Sequence, residues 1–175
     1  MKTEIQASAD LALLCKLIEN LSVAMMTHLD ADGALVSRPM VPLEMDRTGA
    51  LWFFTELRST KTEHLRVVNL CFADPARVTY VSLSGRGEIH ADHARIKRMW
   101  TPFDKLWFPD GPDSTNLALL KFVPDVAEYW DAPHSKMVQM FAMAVSVPAR
   151  RMATAIDKHV ALNALLKPSL STVPG

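Results

Sequence analysis

The sequence predicts a mainly β chain with flanking helices, its strands forming a closed or split antiparallel barrel. Three observations carry that expectation. Stretches with strand patterning follow one another through most of the chain, among them Val23–His28, Ala34–Met45, Leu51–Thr55 and Val78–His90. Two short acidic turns that end in glycine, Asp30–Gly33 and Asp46–Gly49, join the first three strands. Tight turns make antiparallel neighbours, whereas parallel strands need long crossovers. Helical spacing is confined to stretches at the ends of the strand runs, which suits helices that cover a barrel rather than alternate with its strands.

In chain order, Ser8 to about Leu21 reads as an amphipathic helix. Ser8 or Asp10 caps it, and Leu11, Leu14, Ile18 and Leu21 recur on one face, to cover one side of the barrel. The three strands that follow form a meander. The middle one holds Pro39 and Pro42, and proline cannot donate to a ladder, so this strand lies at an edge or carries a bulge. Arg38, judged on its own, is a surface arginine paired with an acid. Thr60-x-x-Glu63 fits a capping box and starts a helix running to about Val68. A short strand near Leu70–Ala73 ends at Asp74-Pro75. In Val78–His90, Thr79, Val81, Leu83 and Ile89 share one face; Tyr80, Ser82, Ser84, Arg86 and Glu88 share the other. Gly85 and Gly87 lack the spacing of a nucleotide loop and instead bend this strand at a barrel corner.

Asp92 caps a short helix with Ile96, Met99 and Trp100 on one face. Trp107–Pro112 has too many aromatics for a solvent loop and suits a wedge into a partner or a wall against a ring. Leu117–Val123 is a strand, Pro124 interrupts it, and Val126–Trp130 resumes it. Asp131–Pro133 ends the barrel. Helices are expected over His134–Val147 and from Ala149 to about Leu166, before a loop-like tail. The chain thus divides into a barrel, residues 1–145, and a C-terminal helical extension and tail of the same domain, residues 146–175.

The chain has 175 residues, which suits one domain, and 49% of them are hydrophobic, enough for a substantial core. Its 19 basic and 19 acidic residues cancel, which disfavours a nucleic-acid binder that relies on excess positive charge. Cys15 and Cys71 lie in apolar runs without a CxxC spacing, so buried thiols are expected rather than a disulfide or metal site, as suits a reducing cytoplasm. The N-terminal stretch is acidic and lacks a long apolar core, so no signal peptide is expected, and no run is long enough to span a membrane. The six histidines show no zinc spacing, and no GxSxG is present. No catalytic residue stands out. The ten methionines suit core filling.

Ala50–Lys61 carries the functional reading. An apolar strand with Trp52, Phe53 and Phe54 runs into a turn bearing Thr55, Ser59, Thr60 and Lys61. Helix N-termini attract anions, and hydroxyls and an ammonium beside them suit a phosphate, with the aromatics beside a flat ring. The same residues also suit an ordinary capped helix with a solvated lysine.

Six stretches in order, RPM at Arg38–Met40, LWFFT at Leu51–Thr55, STK at Ser59–Lys61, YVSLSGRGE at Tyr80–Glu88, WFPDGPD at Trp107–Asp113 and EYWDAP at Glu128–Pro133, decide between these readings. Together they resemble the general stress protein branch of the pyridoxamine 5′-phosphate oxidase-like flavoproteins, over roughly Asn20 to Met143. The resemblance implies an antiparallel, Greek-key-like split β-barrel that dimerises and binds FMN between its subunits, with FAD also open. It implies that Arg38, Pro39 and Met40 lie along the isoalloxazine and ribityl chain, and that Phe54 and Thr55 flank the ribityl-phosphate region. Ser59, Thr60 and Lys61 would hold the phosphate, Tyr80 would sit near the ring, and Trp107 would close the site from the partner chain. The oxidases proper place an arginine where this chain has Thr60, one charge fewer. They also use a C-terminal arginine–histidine pair that is missing here, since Met152 follows Arg150-Arg151 and His159 is distant. The resemblance therefore implies an FMN-dependent oxidoreductase other than a pyridoxamine phosphate oxidase. A non-catalytic flavin binder and a partner-binding barrel with an empty site are the alternatives.

Overall fold

A computed structural model describes residues 1–59, 65–131 and 157–160. After a two-residue strand β1 (Lys2–Thr3) comes helix α1 (Ala9–Ile18). Ser8 caps it by accepting a hydrogen bond from Leu11 N at 3.2 Å. Its buried face is Leu11, Leu14, Cys15 and Ile18. Next are β2 (Ala24–Leu29), β3 (Leu35–Met40), β4 (Glu44–Met45), β5 (Leu51–Glu56), β6 (Val68–Asp74) and β7 (Thr79–His90). Helix α2 (His93–Met99) precedes a 3₁₀ segment at Pro102–Leu106, then β8 (Leu117–Asp131) and β9 (Asp157–Val160).

The strands form one sheet in the order β1-β4-β5-β8-β7-β6-β2-β3, with β9 also pairing β8. Every pairing is antiparallel except β1 with β4. The hydrogen-bonded ladder is open. β3 lies at one edge, and β4 lies near the other. Three residues, Val41–Leu43, carry the chain between them, and Leu43 N donates to Trp52 O at 2.8 Å. The expected meander is therefore split. The first half of the long second strand pairs with β2, and its last two residues pair with β5. The prolines explain the break. Pro39 sits in the edge strand, where its missing N–H costs no ladder bond, and Pro42 lies in the gap between the halves.

The inner face of the sheet and α1 enclose the main core. Ile18, Met26, Phe53, Phe72, Leu83 and Phe122 are among its fully buried side chains. In β7, Thr79, Val81 and Leu83 are buried while Tyr80, Ser82 and Ser84 are less so, as the alternation predicts. Pro124 does not interrupt β8. Ser84 pairs with Val126 and Gly85 with Pro124, which leaves Asp125 as an extra, unpaired residue. A bulge thus absorbs the proline, and the strand continues past it. The helix expected from Thr60 falls on residues outside those described up to His64, and it does not reach Val68, which already belongs to β6. The helix expected over His134–Val147 also lies outside them. Within the expected Ala149–Leu166 helix, Asp157–Val160 pairs with β8 as a strand.

Both acidic turns form as expected, with Gly33 and Gly49 at positive φ. In the second turn, Asp46 Oδ1 accepts from Thr48 N, Thr48 Oγ1 and Ala50 N, and Oδ2 accepts from Trp52 Nε1 at 2.9 Å. Burial pushes the Asp46 carboxyl up, but these hydrogen bonds together outweigh it and hold the group below its ordinary value. A depressed carboxyl stabilises the fold above its unfolded pKa, and that contribution is lost as pH falls through the folded value. Asp46→Asn is therefore expected to cost about 1–2 kcal/mol at neutral pH. The gap from wild type should narrow in acid denaturation below about pH 4. A gap independent of pH would refute this assignment.

Candidate functional site

Strand β5 is buried on both faces, which is why its sequence is a continuous apolar run. Leu51 and Phe53 face the main core. Trp52 and Phe54 face a second apolar layer with Ile96, Met99, Leu117 and Leu119. Phe54 packs against Trp100 and Phe108, with ring centroids 5.6 and 5.8 Å apart.

Beside this layer opens a cleft of about 150 Å³. Pro39, Met40, Val41 and Leu43 line it from the break between β3 and β4. Phe54 lines it from β5, and Phe103, Trp107 and Phe108 line it from the segment after α2. Its one charged lining residue, Asp104, is already engaged. Asp104 Oδ2 accepts from Thr101 N and Thr101 Oγ1, each at 2.7 Å. The Asp104 carbonyl accepts from the amides of Trp107 and Phe108 at 3.0 and 2.9 Å. Asp104 thus shapes the turn that presents the two aromatics, and the cleft wall itself is apolar.

Four of the expected site residues, Pro39, Met40, Phe54 and Trp107, converge here. Trp107, 63% exposed, lines the cleft of its own chain. Arg38 lies on β3 opposite the fully buried Met26, so it shares that residue's inward face. It is not a surface arginine paired with an acid. It is half-buried, its Nε is buried without a hydrogen-bond partner, and burial pushes its guanidinium below the ordinary value. Arg38 does not line the cleft but directly precedes Pro39 and Met40, which do, and a buried donor left unpaired suits an acceptor brought by a ligand.

Thr55 is buried at the end of β5 opposite Ala118. Ser59 ends a 3₁₀ turn, Leu57–Ser59. Asn116 anchors that turn twice, its carbonyl accepting from Leu57 N at 2.8 Å and its side-chain oxygen from Arg58 N at 3.0 Å. Thr60 and Lys61 lie outside the described residues. Tyr80 is not brought to this cleft; it sits on the outer face of β7 between Ala73 and Trp130. Sequence reasoning missed Leu43, Phe103, Asp104 and Asn116, and reached Phe108 only as part of the aromatic stretch Trp107–Pro112. The Thr101-x-x-Asp104 cap was a usable signal for the turn. Asn116 had none, since its partners are distant in sequence. Among the described residues, no three histidine, cysteine or acidic side chains converge as metal ligands.

A family model described as pyridoxamine 5′-phosphate oxidase like matches residues 10–152. The chain belongs to the pyridoxamine 5′-phosphate oxidase-like family. The match reaches further at both ends than the motifs did, from within α1 to Met152. Protein bli-3 of Neurospora crassa is 25% identical over 142 residues, which are 74% of this chain and 68% of that protein. The general stress FMN/FAD binding protein of Xanthomonas citri is 28% identical, with a TM-score of 0.58 over 71% of this chain and 90% of that one. General Stress Protein 26 of Bacillus anthracis is 18% identical, yet superposes with a TM-score of 0.59 over 73% of this chain and 97% of that one. The last likeness is one of fold. Among the described residues, no helix of this family member is long and apolar enough to cross a membrane.

Proposed function

We propose that the protein binds FMN, with the isoalloxazine ring in the cleft beside Phe54, and acts as an FMN-dependent oxidoreductase in a homodimer. The observation that carries this reading is an apolar, aromatic-lined cleft whose lining residues Pro39 and Met40 directly follow Arg38, a half-buried arginine with its Nε unpaired among the described residues. A flat ring system with carbonyl edges needs that combination. On this reading Pro39 and Met40 lie along the ring, Phe54 and Thr55 flank the ribityl chain, and Ser59, Thr60 and Lys61 hold the phosphate. The Xanthomonas citri relative, a general stress FMN/FAD binding protein, supports the same cofactor class. When bound, FMN supplies hydride and electron transfer, and the protein supplies position and electrostatics.

Two features support a dimer with the cofactor at its interface. At about 150 Å³ the cleft formed by the described residues is smaller than the roughly 300–1,000 Å³ that enclose a ligand of this size, which leaves room for a second chain to complete it. The adjoining sheet face also carries two rows that are uncharged from β3 to β7, with Glu128 and Val126 next to them on β8, and Cys71, expected to be buried, is exposed on it. One cross-strand row runs Pro39, Met25, Cys71, Ser82, and the next runs Ser37, Thr27, Asn69, Ser84. Pro39 belongs to both this face and the cleft. Tyr80 borders the face, where it would approach the partner's ring rather than its own.

Saturating FMN is expected to raise the melting temperature by roughly 5–10 °C at a hundredfold excess over Kd, and to quench flavin fluorescence. A protein that shows neither effect is not a flavoprotein. The non-catalytic alternative has one observation in its favour, an acid locked in a cap and no other ionisable group lining the cleft among the described residues. Reduction of the bound flavin by NADH or NADPH, with reoxidation by an acceptor, separates the two.

A further inference from the structure

The two walls of the cleft come from distant parts of the chain, and one side chain joins their roots. Arg95 lies in α2, and its amide is capped by Asp92. Its guanidinium donates to Glu44 Oε1 at 2.7 Å, and its Cζ lies 3.5 Å from the centroid of the Trp52 ring. Glu44 and Trp52 face each other across β4 and β5. His90 packs near the same indole, with ring centroids 5.2 Å apart. The indole N–H is held by Asp46. Trp52 is therefore fixed from several sides, with Arg95 the charged contact that reaches it from α2 beside Ile96 and Met99 of the same apolar layer.

We propose that Arg95 is a positioning residue that sets the width of the cleft. On one side, Glu44 directly follows the lining residue Leu43, and Trp52 shares its face of β5 with the lining residue Phe54. On the other side, α2 runs through Trp100 and Thr101 into the segment that presents Phe103, Trp107 and Phe108. The Arg95–Glu44 pair is largely shielded, with side chains only 20% and 13% exposed, so water competes weakly with it. A planar guanidinium both stacks and donates, which a lysine ammonium does not reproduce. This inference rests on the flavin reading for its consequence in affinity, but the geometry of the wall is testable without flavin.

The test compares Arg95→Met, the double variant Glu44→Gln with Arg95→Met, and Arg95→Lys. Arg95→Met leaves the Glu44 carboxylate without its partner, so it lowers both stability and FMN affinity. The double variant removes both charges and recovers most of the melting temperature. Its FMN Kd is nevertheless expected to stay about tenfold weaker than wild type, because the ionic and stacking link between the walls is lost and only their apolar packing remains. Amide exchange over residues 103–108, measured without flavin, is expected to quicken in the double variant while the exchange of β5 and β8 stays as in wild type. Arg95→Lys keeps the charge but not the stack, and falls between the two in both readouts. A double variant with wild-type exchange over 103–108 overturns the proposal. If that variant fails to fold, wild-type exchange over 103–108 in Arg95→Lys does the same. A wild-type protein that binds no FMN sinks the cofactor reading alone, and the exchange measurement still decides the role of Arg95.

Discussion

Replacing Gly85 with alanine is expected to cost about 3 kcal/mol, enough to unfold much of the population under mild denaturant. A Cβ placed there would lie 2.1 Å from the Val123 carbonyl oxygen and 2.9 Å from the Pro124 Cα. Both obstacles are backbone, so no side chain can swing away. The site is also the bulge where β7 meets β8, and these two strands are paired from Thr79 to His90. Opening them there would disturb the longest ladder of the sheet. Gly111→Ala is the control. Gly111 also has no side chain, and it sits at φ +79°, but nothing lies within 4 Å of an added Cβ. It should lose only about 1 kcal/mol, from left-handed backbone strain. Urea melts of both variants check the pair. If Gly85→Ala were as mild as Gly111→Ala, the close approach at the bulge would be wrong.

Replacing Lys61 with alanine is expected to weaken FMN about 10- to 100-fold while leaving riboflavin within about twofold. A charge-assisted contact to a phosphate contributes only when the phosphate is present, so the difference between the two ligands isolates it. The effect should also shrink with added salt, as the attraction of an exposed charge is screened. Titration by flavin fluorescence measures both constants. Equal losses for FMN and riboflavin would remove Lys61 from the phosphate site. The structure supports the premise from the near side, since Asn116 fixes the turn that delivers Ser59.

Much of the architecture was legible because its causes are local. Ser8 and Asp92 announce their helices by accepting the amides that those helices leave free. Asp46 and Gly49 announce a turn because a side chain two to four residues away satisfies its amides. The alternation in β7 announces a face because one side of a strand is buried. Pro39 announced an edge or a bulge, and β3 is an edge strand. Pro124 announced an interruption and was wrong, because the remedy, a bulge opposite Gly85, depends on a strand some forty residues earlier.

The candidate site shows the same division. Arg38, Pro39, Met40 and Phe54 were found by a motif pattern in the sequence, and Pro39, Met40 and Phe54 line one cleft. Their company was not visible. Leu43 is an unremarkable leucine until the chain crosses between the two ends of the sheet. Phe103 and Phe108 become a wall only because Asp104 folds the segment back on itself. Tyr80, equally conspicuous in sequence, faces away because β7 runs through the opposite part of the sheet.

By itself, the sequence determined the alternation of β7, the two acidic turns and the caps of the two helices, which follow from side chains acting on backbone within a few residues, and its ordered motifs carried the family. Only the tertiary structure decided that the sheet stays open across Val41–Leu43, that Arg38 turns inward without a partner, and that Arg95 reaches Glu44 and Trp52. Those outcomes depend on which strands become neighbours, and that choice is made by the burial of the whole core rather than by any stretch of chain.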